Sequence, residues 1–317
     1  MIRILAILTR TLAALCVAVG ATNAHADVIE RGGIRIDFPS SAGTLAEESM
    51  AAIEQAYRSY EKPFPKRPET LRVVICDTIA QFGEYAGPLS THSVLGIAKP
   101  TQDLIVLKAP QLVPSGSDYR GTVRHEVIHV LLQQNVNTDN LPRWLNEGIA
   151  MVLSGENRWE SRAQIASMYL NGRVLSYREL DLSFLDPGEE MQFGDAYAQA
   201  YSMTQYLMQE VGEDRFWAML RTLDTQTFGA ALESELGVIP YDFWASWKSS
   251  LGWYAAAYSI VSGFTLFQIM AGLTVWAYLR KRRRGLRVIK QWEEEENAGD
   301  EVRVDIVESY EDEDERD

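Results

Sequence analysis

The sequence predicts an α+β protein: a small N-terminal mixed sheet, then a largely helical region, then one C-terminal transmembrane helix. Three observations carry this. Short runs rich in Val, Ile and Leu fall at 28–38, 71–76 and 95–108, all in the first part of the chain. From 119 onward apolar residues recur at helical spacing, and Gly212 and Gly237 stand where helices would end. From 249 to 279 no residue is charged, which is more than the roughly 20 residues needed to cross a bilayer.

Composition sets the outer bounds. A chain of 317 residues with 46% hydrophobic content can build a real core and is not globally disordered. Its formal charge of −14 excludes nucleic acid as a partner, since phosphates require a basic face. Cysteine is nearly absent. Cys16 lies in the leader, and Leu15 before it is too bulky for lipoprotein attachment, so Cys76 remains alone and reads as a small core residue.

Residues 1–26 carry Arg3 and Arg10, an apolar run, and Ala24 and Ala26 flanking His25. This is a secretory signal peptide with an Ala-x-Ala cleavage site, and the mature chain begins at Asp27. Ile34, Ile36 and Phe38 alternate with polar residues after Gly32 and Gly33, so 28–38 forms a hairpin. A helix follows over 44–60, with Thr44 as N-cap and Glu47 completing a capping box. Pro63, Pro65 and Pro68 end it. The β-branched run 71–76 is a buried strand, and 79–86 is a short helix. A second hairpin spans 94–108 through Lys99, Pro100, Thr101 and Gln102.

The next helix, 119–134, carries the chemistry. Val123, Val127, Val130 and Leu131 give it an apolar side, and His125 and His129 lie one turn apart on one face. Two imidazoles at this spacing can grip one zinc ion, and Glu126 beside them can take a proton from water held by the metal. A catalytic zinc needs a third protein ligand and one open position. Glu147 is the candidate: Pro142 suits the first turn of a following helix that folds back on the first. His92 reads as a loop residue.

His125-Glu126-Val127-Ile128-His129 followed by Pro142-Arg143-Trp144-Leu145-Asn146-Glu147-Gly148-Ile149-Ala150 resembles the gluzincin metallopeptidases, and is most similar to small bacterial peptidase MA-like domains. The resemblance covers about 70–250. It implies a gluzincin-like fold, a peptide or protein substrate, and zinc held by His125, His129 and Glu147 with Glu126 as general base. It also implies that the strand upstream of the zinc helix holds peptide by strand addition, through backbone hydrogen bonds. The Gly-x-Met-Glu-Asn segment that captures a free amino terminus in aminopeptidase N relatives is missing, which weakens an exopeptidase reading.

After Ala150 helices are expected over 159–170, 193–210, 214–223, 228–236 and 241–249. The second is similar to the gluzincin helix that brings a Tyr hydroxyl to the oxyanion. In the aminopeptidase N branch the catalytic Tyr precedes a Tyr-Leu pair by nine residues, and this resemblance singles out Tyr197 before Tyr206 and Leu207, with Tyr201 one turn later as the fallback.

The span at 251–279 has Trp253, Tyr254 and Tyr258 near one end and Trp276 and Tyr278 near the other, and Arg280 to Arg284 follow with Lys281 among them. The positive-inside rule makes that end cytoplasmic. Residues 280–317 are expected to form an acidic, solvated and disordered tail in which Val302, Val304, Ile306 and Val307 offer a binding element to a cytoplasmic partner. The exported part lacks an N-x-S/T sequon, which favours a bacterial inner-membrane protein. The whole reads as a signal peptide (1–26), a periplasmic zinc metallopeptidase-like domain (27–250), a transmembrane helix (251–279) and a cytoplasmic tail. Two alternatives stay open: a gluzincin-like binding or scaffold protein, and a zinc amidase acting on cell-wall peptide.

Overall fold

The computed structural model describes residues 26–87, 94–114, 116–155, 158–184 and 190–311. The signal segment up to residue 25, His92 and the last six residues lie outside them.

Five strands form one mixed sheet in the order β1-β2-β3-β5-β4. β1 (Ala26–Arg31) and β2 (Ile34–Pro39) are the expected hairpin. Gly32 and Gly33 both take positive φ, 58° and 81°, as a two-residue turn with the twist of its strands requires. β3 (Leu71–Cys76) lies parallel to β2, and β5 (Leu104–Lys108) parallel to β3. β4 (Gly96–Lys99) runs antiparallel to β5 at the edge of the sheet. The parallel β2–β3 pair needs a crossover, which is α1 (Gly43–Ser59). The central strands are covered on both faces, so their apolar runs are continuous rather than alternating. α2 (Ile79–Ala86) closes one face, its Phe82 packing with Val74, Cys76, Leu104 and Val106 of the sheet.

One cap differs from expectation. α1 begins at Gly43, and no side chain caps it. A 3-10 turn, Ser40–Ala42, runs straight into the helix, so Thr44 already lies inside the first turn and its hydroxyl cannot serve as N-cap.

The rest is helical: α3 (Tyr119–Asn135), α4 (Arg143–Ser154), α5 (Arg158–Leu170), α6 (Tyr177–Ser183), α7 (Glu190–Val211), α8 (Glu213–Arg221), α9 (Phe228–Leu236) and α10 (Pro240–Glu311). The chain falls into two compact units, Met1–Met168 with Arg173–Trp247, and Tyr169–Gly172 with Lys248–Asp317. The first holds the sheet and α3, α4, α7, α8 and α9.

In the second unit the backbone stays helical through the basic and acidic segments to Glu311, where a disordered tail was expected. No proline interrupts 280–311, and Arg, Lys and Glu are good helix formers. The span expected at 251–279 passes through 261–266, whose side chains lie outside the described residues. Among the described residues no helix is long and apolar enough to cross a membrane. Phe267, Ile269, Met270, Leu273, Val275 and Trp276 are nevertheless all exposed, and at 100° per residue they cover the whole circumference of the helix.

Candidate metal centre

Asp118 fixes where α3 starts, because its Oδ1 accepts the Gly121 N–H at 2.8 Å. From that start Val123, Val127, Val130 and Leu131 fall inward and are buried. His125 and His129 then stand one turn apart, their ring centroids separated by 4.8 Å. The chain leaves α3 at Val136, makes a 3-10 turn over Thr138–Asn140, and enters α4 through Pro142, which stands just before the helix as its cap. Asn140 Nδ2 donates to Leu223 O at 2.8 Å, anchoring the link. α4 packs back along α3 and delivers Glu147.

Glu147 Oε2 lies 3.4 Å from His125 Nε2 and 3.5 Å from His129 Nε2. Ligand atoms of the three residues all lie within 4.8 Å of one another. A tetrahedral ion with bonds of about 2.1 Å holds its donors roughly 3.4 Å apart. Two nitrogens and one carboxylate oxygen this close together can hold a single metal ion.

The electrostatics agree. Burial works to raise the Glu147 carboxyl, but the His129 and His125 rings outweigh it and hold it well below the ordinary carboxylate range. Burial likewise opposes charge on His129, yet Glu147 raises it. Positive charge is thus favoured beside Glu147, which is what a place for a cation demands. Glu126 differs from Glu147. It is only 8% exposed, and burial pushes its carboxyl up, against the pull of His125 and His129. A carboxylate with a raised affinity for protons suits a general base.

The sequence did not reveal what orients the ligands. His129 Nδ1 lies 2.8 Å from Asn146 Oδ1. With Nδ1–H donating to that carbonyl, Nε2 is left as the ligand nitrogen. Asn146 stands one position before Glu147, so α4 supplies both a ligand and the group that aims another. The only hint in the sequence was a short acceptor next to a ligand, which means nothing until the rotation of α4 is known.

α7 brings the tyrosines. It meets α4 at Gly148, where a Cβ would lie 2.6 Å from Ala200 O and would overlap Thr204 Oγ1. Tyr197 and Tyr201 lie on the same side of α7 as Ala200 and Thr204. Tyr197 is half-buried, its ring edge-on to Phe184 at 5.3 Å. Tyr201 is buried, and its hydroxyl has no hydrogen-bond partner among the described residues.

Residues 95–252 match the family model described as the Peptidase MA superfamily. That stretch runs from the residue before β4 into α10 and contains every residue of the centre. No curated protein matches the chain.

Proposed function

We propose that this Peptidase MA superfamily domain is a zinc-dependent peptidase, anchored in a membrane and facing away from the cytoplasm. The observation that carries the reading is the convergence of His125, His129 and Glu147 on one point, with the buried carboxylate of Glu126 beside them on α3. His125 and His129 through Nε2, and Glu147 through a carboxylate oxygen, would hold the ion. Bound zinc would supply Lewis acidity, making water a nucleophile near neutral pH and polarising an amide carbonyl.

Glu126 accepts the proton of the attacking water and passes it to the leaving amine nitrogen. A structural metal site has no need of such a group. Asn146 keeps the His129 ring in one tautomer. Tyr197, with Tyr201 as the fallback, offers a phenol O–H to the oxyanion. Peptide lies in an extended form along the exposed edge of β4, the strand nearest α3 at the sheet rim. The exposed apolar girth of α10 from Phe267 to Trp276 is the surface of a helix that belongs in lipid. With a signal peptide before the domain and a basic cluster after the span, the active site is periplasmic and the C-terminus cytoplasmic.

Glu126→Gln tests the mechanism. Expected is zinc bound as in the wild type with peptide hydrolysis reduced by several orders of magnitude, on the order of what removing an essential proton acceptor costs. Hydrolysis at the wild-type rate would remove Glu126 as the base.

A further inference from the structure

Past the apolar girth of α10 the helix sorts its residues by face. Arg280, Lys281 and Arg282 do not take part, because at 100° per residue they spread over more than half the circumference. From Arg283 the pattern changes. Arg283, Arg284, Arg287 and Lys290 fall within an arc of about 120°, and Leu286, Val288, Ile289 and Trp292 within an arc of about 160° on the opposite side. All eight are exposed. A basic cluster that only oriented a span would need no such sorting, since the positive-inside rule counts charges and not faces. Four large apolar side chains on one side of an exposed helix mark a surface that something covers.

An apolar face opposite a basic one is the pattern of a helix lying in the plane of a membrane surface. Its apolar side sinks to the boundary of headgroups and acyl chains, and its cations meet anionic headgroups. Trp292 suits that depth, with an apolar ring and one N–H to donate. Two neighbours set the ends of the segment. Gly285 stands at its start, and glycine is the weakest helix former after proline, so α10 bends most easily there. Glu293 to Glu296 follow Trp292, and an anionic surface repels carboxylates.

We propose that residues 283–292 are a docking face for anionic phospholipid: α10 turns at Gly285, lays Leu286, Val288, Ile289 and Trp292 into the membrane surface, and pairs Arg283, Arg284, Arg287 and Lys290 with headgroups. That a membrane lies beside this segment rests on the anchor reading above, whereas the sorting of its two faces does not. One consequence is that the segment responds to lipid charge and to salt, although a span does not.

The test uses the full chain with Cys16→Ala and Cys76→Ala, reconstituted in vesicles. An environment-sensitive fluorophore is attached at Ile289→Cys or, on the opposite face, at Arg287→Cys, and is quenched by lipids brominated near the top of the acyl chain. In phosphatidylcholine with phosphatidylglycerol at about 2:1, quenching at 289 should exceed that at 287 at least about threefold. The contrast should vanish in phosphatidylcholine alone. It should vanish as well when Arg283→Gln, Arg284→Gln and Lys290→Gln are combined. Equal quenching at both positions, or a contrast that ignores lipid charge, overturns the proposal. Flotation separates the anchor from the face. A chain that fails to float with phosphatidylcholine vesicles in about 1 M salt would sink the anchor reading, and the contrast between 289 and 287 on phosphatidylglycerol vesicles at low salt would still decide the face.

Discussion

His129 is held from both ends of its ring, by Asn146 at Nδ1 and by the Glu147 side at Nε2. Groups that hold a ligand's far nitrogen typically govern metal affinity by about 10–100-fold. Asn146→Ala should therefore weaken zinc binding by about that factor in a chelator competition, and Asn146→Asp, which keeps an acceptor, should restore most of it. Equal affinity in all three proteins would mean that packing alone aims the ring. This residue also shows where reading the sequence stops. His125, Glu126 and His129 were legible because their chemistry lies in residue type and in a spacing of four, and Glu147 because it follows Pro142 in an apolar helical run. Asn146 was not legible, since its role depends on how α4 is rotated.

At the scale of elements, the contact of α4 with α7 decides where Glu147 stands. Replacing glycine by alanine inside a helix would ordinarily stabilise it by up to about 1 kcal/mol. At Gly148 the added methyl meets the Ala200 carbonyl at 2.6 Å and the Thr204 hydroxyl, and backbone cannot yield as a flexible side chain can. Gly148→Ala should destabilise the protein by about 1–3 kcal/mol, the usual cost of overpacking, and weaken zinc binding because Glu147 is the adjacent residue. Denaturant midpoints with and without zinc would check both; unchanged stability would mean that α7 is free to move away. Most elements were legible because their periodicity is strong. α6 was overlooked although Ser176 and Glu179 form a capping box, with Ser176 N–H donating to Glu179 Oε2 at 2.8 Å, because the helix has only seven residues. The cap at Thr44 failed for the opposite reason: a valid local signal was bypassed by a 3-10 turn, Ser40–Ala42, that runs into the helix with Ala42 buried.

On the whole-molecule scale the response to alkali bears on how the proposed anchor can be tested. Burial pushes the Cys76 thiol up from its ordinary value near 9 to about 12, and burial also raises Tyr57 to about 12. Between pH 9 and about 12 the unfolded chain loses a proton from Cys76 that the folded chain retains, so stability falls as pH rises through this window. One such group contributes up to about 1.4 kcal/mol per pH unit. Cys76→Ala should flatten the decline between roughly pH 9 and 11 in denaturant titrations, even though it lowers stability at neutral pH through a small cavity; an identical slope would rule the thiol out as a source. This bears on how the anchor is tested. The common wash at about pH 11 lies inside the window and would loosen the folded domain whether or not α10 spans a bilayer. The decisive wash is high salt at neutral pH. It screens the attraction of Arg280 to Arg284 for anionic headgroups and leaves apolar burial intact. If residues 251–279 cross the membrane, the full chain should stay with the membranes in about 1 M salt and leave only with detergent. Release by salt alone would reduce the anchor to surface attachment through the basic cluster.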